Sequence, residues 1–335
     1  MMLQPLIKVT GVSKTFKVSK RSRGIPSMIF NLFRPQYEYK KAVKNISFTI
    51  NEGEMVGFIG PNGAGKSTTV KMLSGILYPD DGEINISGYI PYKQRKEYVS
   101  NIGVVFGQKS QLSWDLPVID SFELLKHIYK IPEVKYKQNL DQFIQLLDMG
   151  SFINQPVRQL SLGQRMRSDI AAALLHSPRI VFFDEPTIGL DVVAKERVRE
   201  FIRYLNEKQG ITMIFTTHDM QDIEKTCSRL IIIDKGSKLY DGSILGIKEQ
   251  FGTSRRVNVE FSKNCYVEPI CNVKIEELNE LDGRKKRLVF ENSNVHIDEL
   301  MAELLAKYDV KDLTIAEPEI EDLIRKIYEG SIKLE

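Results

Sequence analysis

The stretch Gly60-Pro61-Asn62-Gly63-Ala64-Gly65-Lys66-Ser67 has the residue types and spacing to hold a polyphosphate. It fits G-x-x-x-x-G-K-S, with a β-type run at 55–59 before it and a helical pattern after it. Glycines let the backbone curl until successive N–H groups point at one anion. Lys66 supplies a point charge for the β- and γ-phosphates. Ser67 offers a hydroxyl to a Mg2+ ion that bridges phosphate oxygens.

A second constellation is RIVFFDEPTIGLD, residues 179–191. Ile180 to Phe183 form an unbroken apolar run, as in a central parallel strand buried on both faces. Asp184 and Glu185 come where that run ends, and ligands of open α/β sheets bind beyond the carboxyl ends of strands. Asp184 is thereby placed to hold Mg2+ from behind its inner ligands, through bound water, and Glu185 to orient or deprotonate an attacking water. The alternative is a solvated acid pair in a turn. IFTTHDM, 214–220, repeats the design with a β-branched strand ending at His218. A histidine there can meet a γ-phosphate, although one in isolation more often has a structural role. His127, His176 and His296 receive no assignment.

LSLGQRMR, 160–167, reads as a helix start with small residues leading in. The unpaired N–H groups of such a start suit an anion. Each motif therefore needs a strand or helix end to present it, and the spacing predicts an α/β chain with a parallel sheet.

The bounds agree. With 335 residues, one large and one small domain are expected. Hydrophobic residues at 42% and charged residues at 27% read as globular and soluble. Cys227, Cys265 and Cys271 are odd in number and lack metal-ligand spacing, which suits a reducing compartment. No apolar run approaches the roughly 20 residues of a membrane span, and MMLQPLIKVT has no signal-peptide pattern. Any membrane role must come through a partner. Charge is uneven: residues 14–41 hold eight Lys/Arg against Glu38, whereas 252–335 hold 13 basic and 18 acidic side chains.

Taken in order, the phosphate loop, GVVFGQ, LSLGQ, FFDEPTIGLD and TTHD resemble the ATP-binding cassette (ABC) ATPases over roughly residues 5–248. The resemblance implies a P-loop NTPase fold with a RecA-like core and a helical subdomain at about 109–178. It implies ATP and Mg2+ as cofactors, with Gly60 to Ser67 and Thr68 on the phosphates. It implies Mg2+ contacts from Ser67, Gln108 and Asp184, and hydrolysis by Glu185 with His218 and Gln108. Ser161, Gly163 and Gln164 match the signature that caps an ATP held by a second cassette in a head-to-tail dimer, expected here to be a homodimer. Asp191 resembles the residue through which two cassettes touch. Leu162 departs from the pattern, standing where a second small residue is usual. Tyr37 or Tyr39 is expected to stack on adenine, with spacing from Ala42 favouring Tyr37. Trp114 and Asp115 are expected to face integral membrane permease subunits. Val118, Phe122, Leu125 and Tyr129 fall at helical spacing, which reads as packing within the subdomain. The chain would then sit on the cytoplasmic side of the cell membrane, peripheral through those permeases.

Two segments stand outside this pattern. Residues 16–36 mix Lys20, Arg21 and Arg23 with Met28, Ile29, Phe30, Leu32 and Phe33. They read either as a solvated basic loop packed on the cassette or as a membrane-surface helix. From 252 to 335 the pattern becomes that of a small α+β domain. Strands are expected at 257–261 and 287–290, a helix at 297–308, and then a strand and a last helix with Ile320, Leu323, Ile324 and Ile327 inward. This ending resembles the appendage of ATPases serving ABC-2-type exporters. A soluble ABC ATPase acting on ribosomes or nucleic acid is the competing class. The single phosphate loop, the absence of a long heptad run and the acidic end speak against it. A kinase or GTPase would leave LSLGQ unexplained.

Overall fold

The structure, a computed structural model, describes residues 5–19, 37–107, 109–251, 254–278, 283–291, 294–316 and 320–329. Gln108 and residues 20–36, including the apolar group Met28 to Phe33, lie outside the described residues. The chain divides into two compact units, Met1–Asp241 and Gly242–Glu335.

In the first unit β1 (Ile7–Ser19) and β2 (Tyr37–Ile50) form a long antiparallel ribbon. Next come β3 (Met55–Ile59), α1 (Lys66–Leu73), β4 (Asp81–Ile86), α2 (Arg95–Val99) and β5 (Ile102–Phe106). Helices α3 (Val118–Tyr129), α4 (Glu133–Leu146) and α5 (Leu162–Leu174) follow. The unit is completed by β6 (Ile180–Asp184), α6 (Val192–Gln209), β7 (Thr212–Thr216), α7 (Met220–Thr226), β8 (Arg229–Asp234) and β9 (Ser237–Ser243), whose last residues cross into the second unit.

Among the described residues the main sheet has six strands in the order β5-β6-β7-β3-β8-β9. Pairing is parallel from β5 through β8. Strands β3 and β7 are buried along their whole length, which is why they read as continuous apolar runs without alternation. A three-stranded antiparallel sheet, β2-β1-β4, packs its Ile7, Val9, Ile46, Phe48, Ile84 and Ile86 into a core shared with Phe58, Val70 and Phe182. In the helical region Val118 and Phe122 are fully buried, while Leu125 and Tyr129 are half-buried. Among the described residues no helix is long and apolar enough to cross a membrane.

The second unit opens with α8 (Ile244–Phe251). Its sheet is antiparallel, in the order β11 (Val273–Glu277), β12 (Lys285–Glu291), β10 (Ser254–Phe261), β13 (Val310–Ala316). Helix α9 (Ile297–Lys307) buries Leu300 and Leu304 in a core with Val257, Val259, Phe261, Leu288 and Phe290. Helix α10 (Ile320–Tyr328) buries Ile320, Leu323, Ile324 and Ile327. Residues 244–248, read in sequence as the end of the first domain, join the second unit with the rest of α8, which buries Ile244 and Ile247 and packs with α10.

Candidate nucleotide site

Three parallel neighbours, β6, β7 and β3, end side by side. Their carboxyl ends deliver Asp184, Thr216 and the 60–67 loop to one place. The loop turns into α1 at Gly65, which has φ +111 and lies against β2: a Cβ would come 2.5 Å from the Ala42 carbonyl oxygen. Only glycine takes that conformation without strain.

Ser67 Oγ donates to Asp184 Oδ1 at 3.2 Å, and Thr216 Oγ1 donates to the same oxygen at 2.7 Å. Lys66 is buried, with Nζ donating to the Gly60 carbonyl at 2.6 Å. Burial lowers its pKa, while Glu185 and Asp184 pull the other way. Glu185 takes a left-handed backbone (φ +56). Its N–H donates to the Thr216 carbonyl at 3.0 Å and hydroxyl at 3.1 Å. His218 Nδ1 stands 3.6 Å from Glu185 Oε1 and is exposed. Ser67, Asp184, Glu185 and His218 face one cleft of about 630 Å3.

Beneath these turns lies a polar hub that the sequence did not disclose. Asp222 is fully buried and accepts from Thr187, from Thr217 at 3.1 Å and from Arg199 Nε at 2.6 Å. Arg199 is itself 4% exposed. The hub ties the turn after Glu185 to the turn before His218. Its only sequence sign is a charged pair on amphipathic helices, and that pattern ordinarily marks solvent.

A second cavity, of about 330 Å3, continues along the loop past Pro61, Gly63 and Lys66 to Phe16, Val18, Lys40 and Ala42. Tyr37 does not line it. The β1–β2 register sets Phe16 opposite Lys40 but Tyr37 opposite Ser19, farther along the ribbon. Tyr37 is 47% exposed, with Lys17 Nζ 3.8 Å from its ring centroid. Tyr39 is more exposed still. Among the described residues that line the cavity the aromatic one is Phe16, which strand register brings there.

Ser161 caps α5. Gln164 N–H donates to Ser161 Oγ at 3.2 Å, and Ser161 N–H donates to Gln164 Oε1 at 2.9 Å, a reciprocal capping box. The Ser161 side chain is exposed there, and the cap leaves its O–H as a donor for an outside acceptor. Gly163 follows it, half-buried. Asp191 caps α6 by accepting from Ala194 N–H at 2.8 Å, and Val192 and Val193 beside it are exposed. Trp114 is 53% exposed, with the Arg165 guanidinium 5.5 Å from its ring centroid. Asp115 is exposed and pairs with Arg158 at 2.8 Å.

Comparison with known proteins agrees with this geometry. Residues 43–188 match the ABC transporter sequence family. The ABC transporter ATP-binding protein NatA of Bacillus subtilis (strain 168) is 34% identical over 217 residues, covering 65% of this chain and 88% of NatA. Nod factor export ATP-binding protein I of Rhizobium sp. (strain N33) is 35% identical over 61% of this chain and 66% of its own length. Methionine import ATP-binding protein MetN 2 of Enterococcus faecalis (strain ATCC 700802 / V583) is 30% identical over 81% of this chain and 79% of its own. Among solved structures, the dimeric ATP-binding cassette MJ0796, in a post-hydrolysis state bound to ADP and Pi, superposes with a TM-score of 0.60. It is 28% identical, over 71% of this chain and 98% of MJ0796.

Proposed function

The chain belongs to the ATP-binding subunits of ABC transporters, which hydrolyse ATP, and from that membership we propose how its residues divide the work. The observation that carries the reading is the meeting of Ser67, Asp184, Glu185 and His218 in one cleft, continuous with the phosphate loop.

ATP lies along the loop, with Gly60 to Ser67 and Thr68 on its phosphates and its base against Phe16. A Ser67 hydroxyl beside a carboxylate is a hard-oxygen pair of the kind Mg2+ takes when phosphates and water complete its shell. Ser67 and Asp184 would hold the ion, with Gln108 as a further ligand, and the ion would neutralise charge on the β- and γ-oxygens. Glu185 orients and deprotonates the attacking water. His218, whose ring stands beside Glu185, reaches the γ-phosphate from the same side.

The capped, exposed start of α5 serves a nucleotide held by a second copy of the chain, through Ser161, Gly163 and Gln164. Asp191 lies on the same dimer contact. Such a dimer is head to tail, and the cassette of MJ0796 was solved as a dimer. Permease subunits in the membrane dock near Trp114 and Asp115. The direction of transport is export, supported by the Nod factor export relative and by a C-terminal unit of the order expected for ABC-2-type systems.

Glu185→Gln tests the site. It should bind ATP as the unchanged chain does and hydrolyse it about 10²–10⁴-fold more slowly. ATP should also trap a dimer, read by size-exclusion chromatography with light scattering. Hydrolysis at the unchanged rate would remove Glu185 from the role. Direction is read separately, from uptake against efflux in vesicles holding the copurified permeases.

A further inference from the structure

Asp169 lies in the middle of α5, on the helix that Ser161 caps, and is 5% exposed. Its Oδ1 accepts from the Ser110 hydroxyl at 2.9 Å and from the Gln111 N–H at 3.0 Å. The Gln111 side-chain amide donates to the Asp169 carbonyl at 2.9 Å. Ser110 Oγ also accepts from Leu112 N–H at 3.2 Å, so the loop is folded around the carboxylate.

The chain just before this loop is held on the catalytic side. Gly107 N–H donates to the Asp184 carbonyl at 2.8 Å, and Lys109 N–H donates to the Phe106 carbonyl at 2.9 Å. Gly107 lies so close to Glu185 that a Cβ would come 2.1 Å from its carbonyl oxygen. Gly107 therefore touches the strand end bearing Asp184 and Glu185, and Ser110 and Gln111 touch the interior of the signature helix.

Burial pushes the Asp169 carboxyl up to about 6, against the pull of the Gln111 and Ser110 hydrogen bonds and the charge of Arg165. What it supplies is an acceptor that takes two donors on one oxygen.

We propose that Asp169 is a positioning residue for ATP hydrolysis, joining the signature helix to the 109–112 segment so that the helix and the chain beside Glu185 move together. This inference rests on the nucleotide reading of the site given above.

The test is steady-state ATPase with the full chain, beside fluorescent-ATP titration. Asp169→Ala should lower kcat about tenfold or more, as small misplacements at a reacting centre do. KM and the affinity of the phosphate loop should stay within about twofold. Asp169→Asn keeps an oxygen at the Oδ1 position and should restore kcat to within about twofold of the unchanged chain. Ser110→Ala should lower kcat in the same sense, and adding it to Asp169→Ala should cost nothing more, because the two share one interaction. Wild-type kcat in Asp169→Ala overturns the inference. So does an Asn variant as impaired as Ala, since charge and not hydrogen bonding would then matter. Equal losses of kcat and nucleotide affinity overturn it as well, because that pattern reports general damage. Glu185→Gln is the control: if that variant remains fully active, the reading of the site itself has failed.

Discussion

Leu162 lies over Gly189: a Cβ built on the glycine would come 2.8 Å from Leu162 Cδ2. The residue that departs from the family's signature pattern thus rests on the turn that leads to Asp191. Gly189 has φ +69, and its neighbour Ile188 lines a cavity with Leu162, Trp114 and Arg165. The two segments proposed to face the partner chain are packed on each other within one chain.

Gly189→Ala should therefore destabilise by about 1–3 kcal/mol, the usual cost of a left-handed backbone at a residue with a side chain. Leu162→Gly in the same chain should recover the steric part and leave the backbone strain. Urea midpoints of the single and double variants separate the two. Full stability in Gly189→Ala would show that the turn accommodates a side chain in another backbone conformation.

Phe16→Ala should weaken adenine nucleotide binding by about 1–3 kcal/mol, the range for stacking of a base on an aromatic ring. Tyr37→Ala should leave affinity within about twofold, because its ring is taken up by Lys17 away from the cavity. A fluorescent-ATP titration decides. The opposite order of effects would restore Tyr37 and reject the register argument.

Asp222→Ala should destabilise the first unit by about 3 kcal/mol, the low end for breaking a buried pair, because the buried Arg199 guanidinium loses its buried carboxylate and keeps only the more exposed Glu196 at 3.0 Å and Asp219 at 4.0 Å. Thr187 and Thr217 lose their shared acceptor in the same step. Chemical unfolding followed by Trp114, the chain's single tryptophan, measures it. A loss under about 1 kcal/mol would class the pair with exposed ion pairs.

Two buried groups set opposing pH dependences. Burial drives His176 down to about 4, with the Ile102 carbonyl opposing, while Asp169 is driven up to about 6. For His176 the folded pKa lies below the unfolded value, so the unfolded chain takes up the proton first. Its contribution to stability is complete above pH 6.5 and is lost as pH falls toward 4. For Asp169 the folded pKa lies above the unfolded value of 3.8. Its contribution is greatest below that value and is lost as pH rises through 6. Each is worth at most about 3 kcal/mol at 1.36 kcal/mol per unit. Asp169→Asn should accordingly gain stability over the unchanged chain at pH 7.5, and the gain should vanish by pH 4. His176→Phe should suppress the acid loss between pH 6.5 and 4. Urea unfolding at several pH values checks both signs, and a reversed sign in either variant rejects its assignment.

The sequence alone determined the parts that are local. The phosphate loop, the acid pair after Ile180 to Phe183 and the capped start of α5 each lie within one strand, turn or helix end. Their chemistry is written in consecutive residues, and the parallel sheet follows from the unbroken apolar runs. The strand–helix order of the second unit was legible for the same reason, although β11, half exposed and rich in charge, was not. Tertiary structure decided what depends on register and packing. Phe16 reaches the cavity instead of Tyr37 because of how β1 pairs with β2. Helix α8 belongs to the second unit because its buried face meets α10. Asp169 and Asp222 gained their roles from partners on other elements, Ser110 and Arg199, brought together when the helices packed. A charged residue on an amphipathic helix carries no mark of the face it presents to a neighbour, and only folding assigns it one.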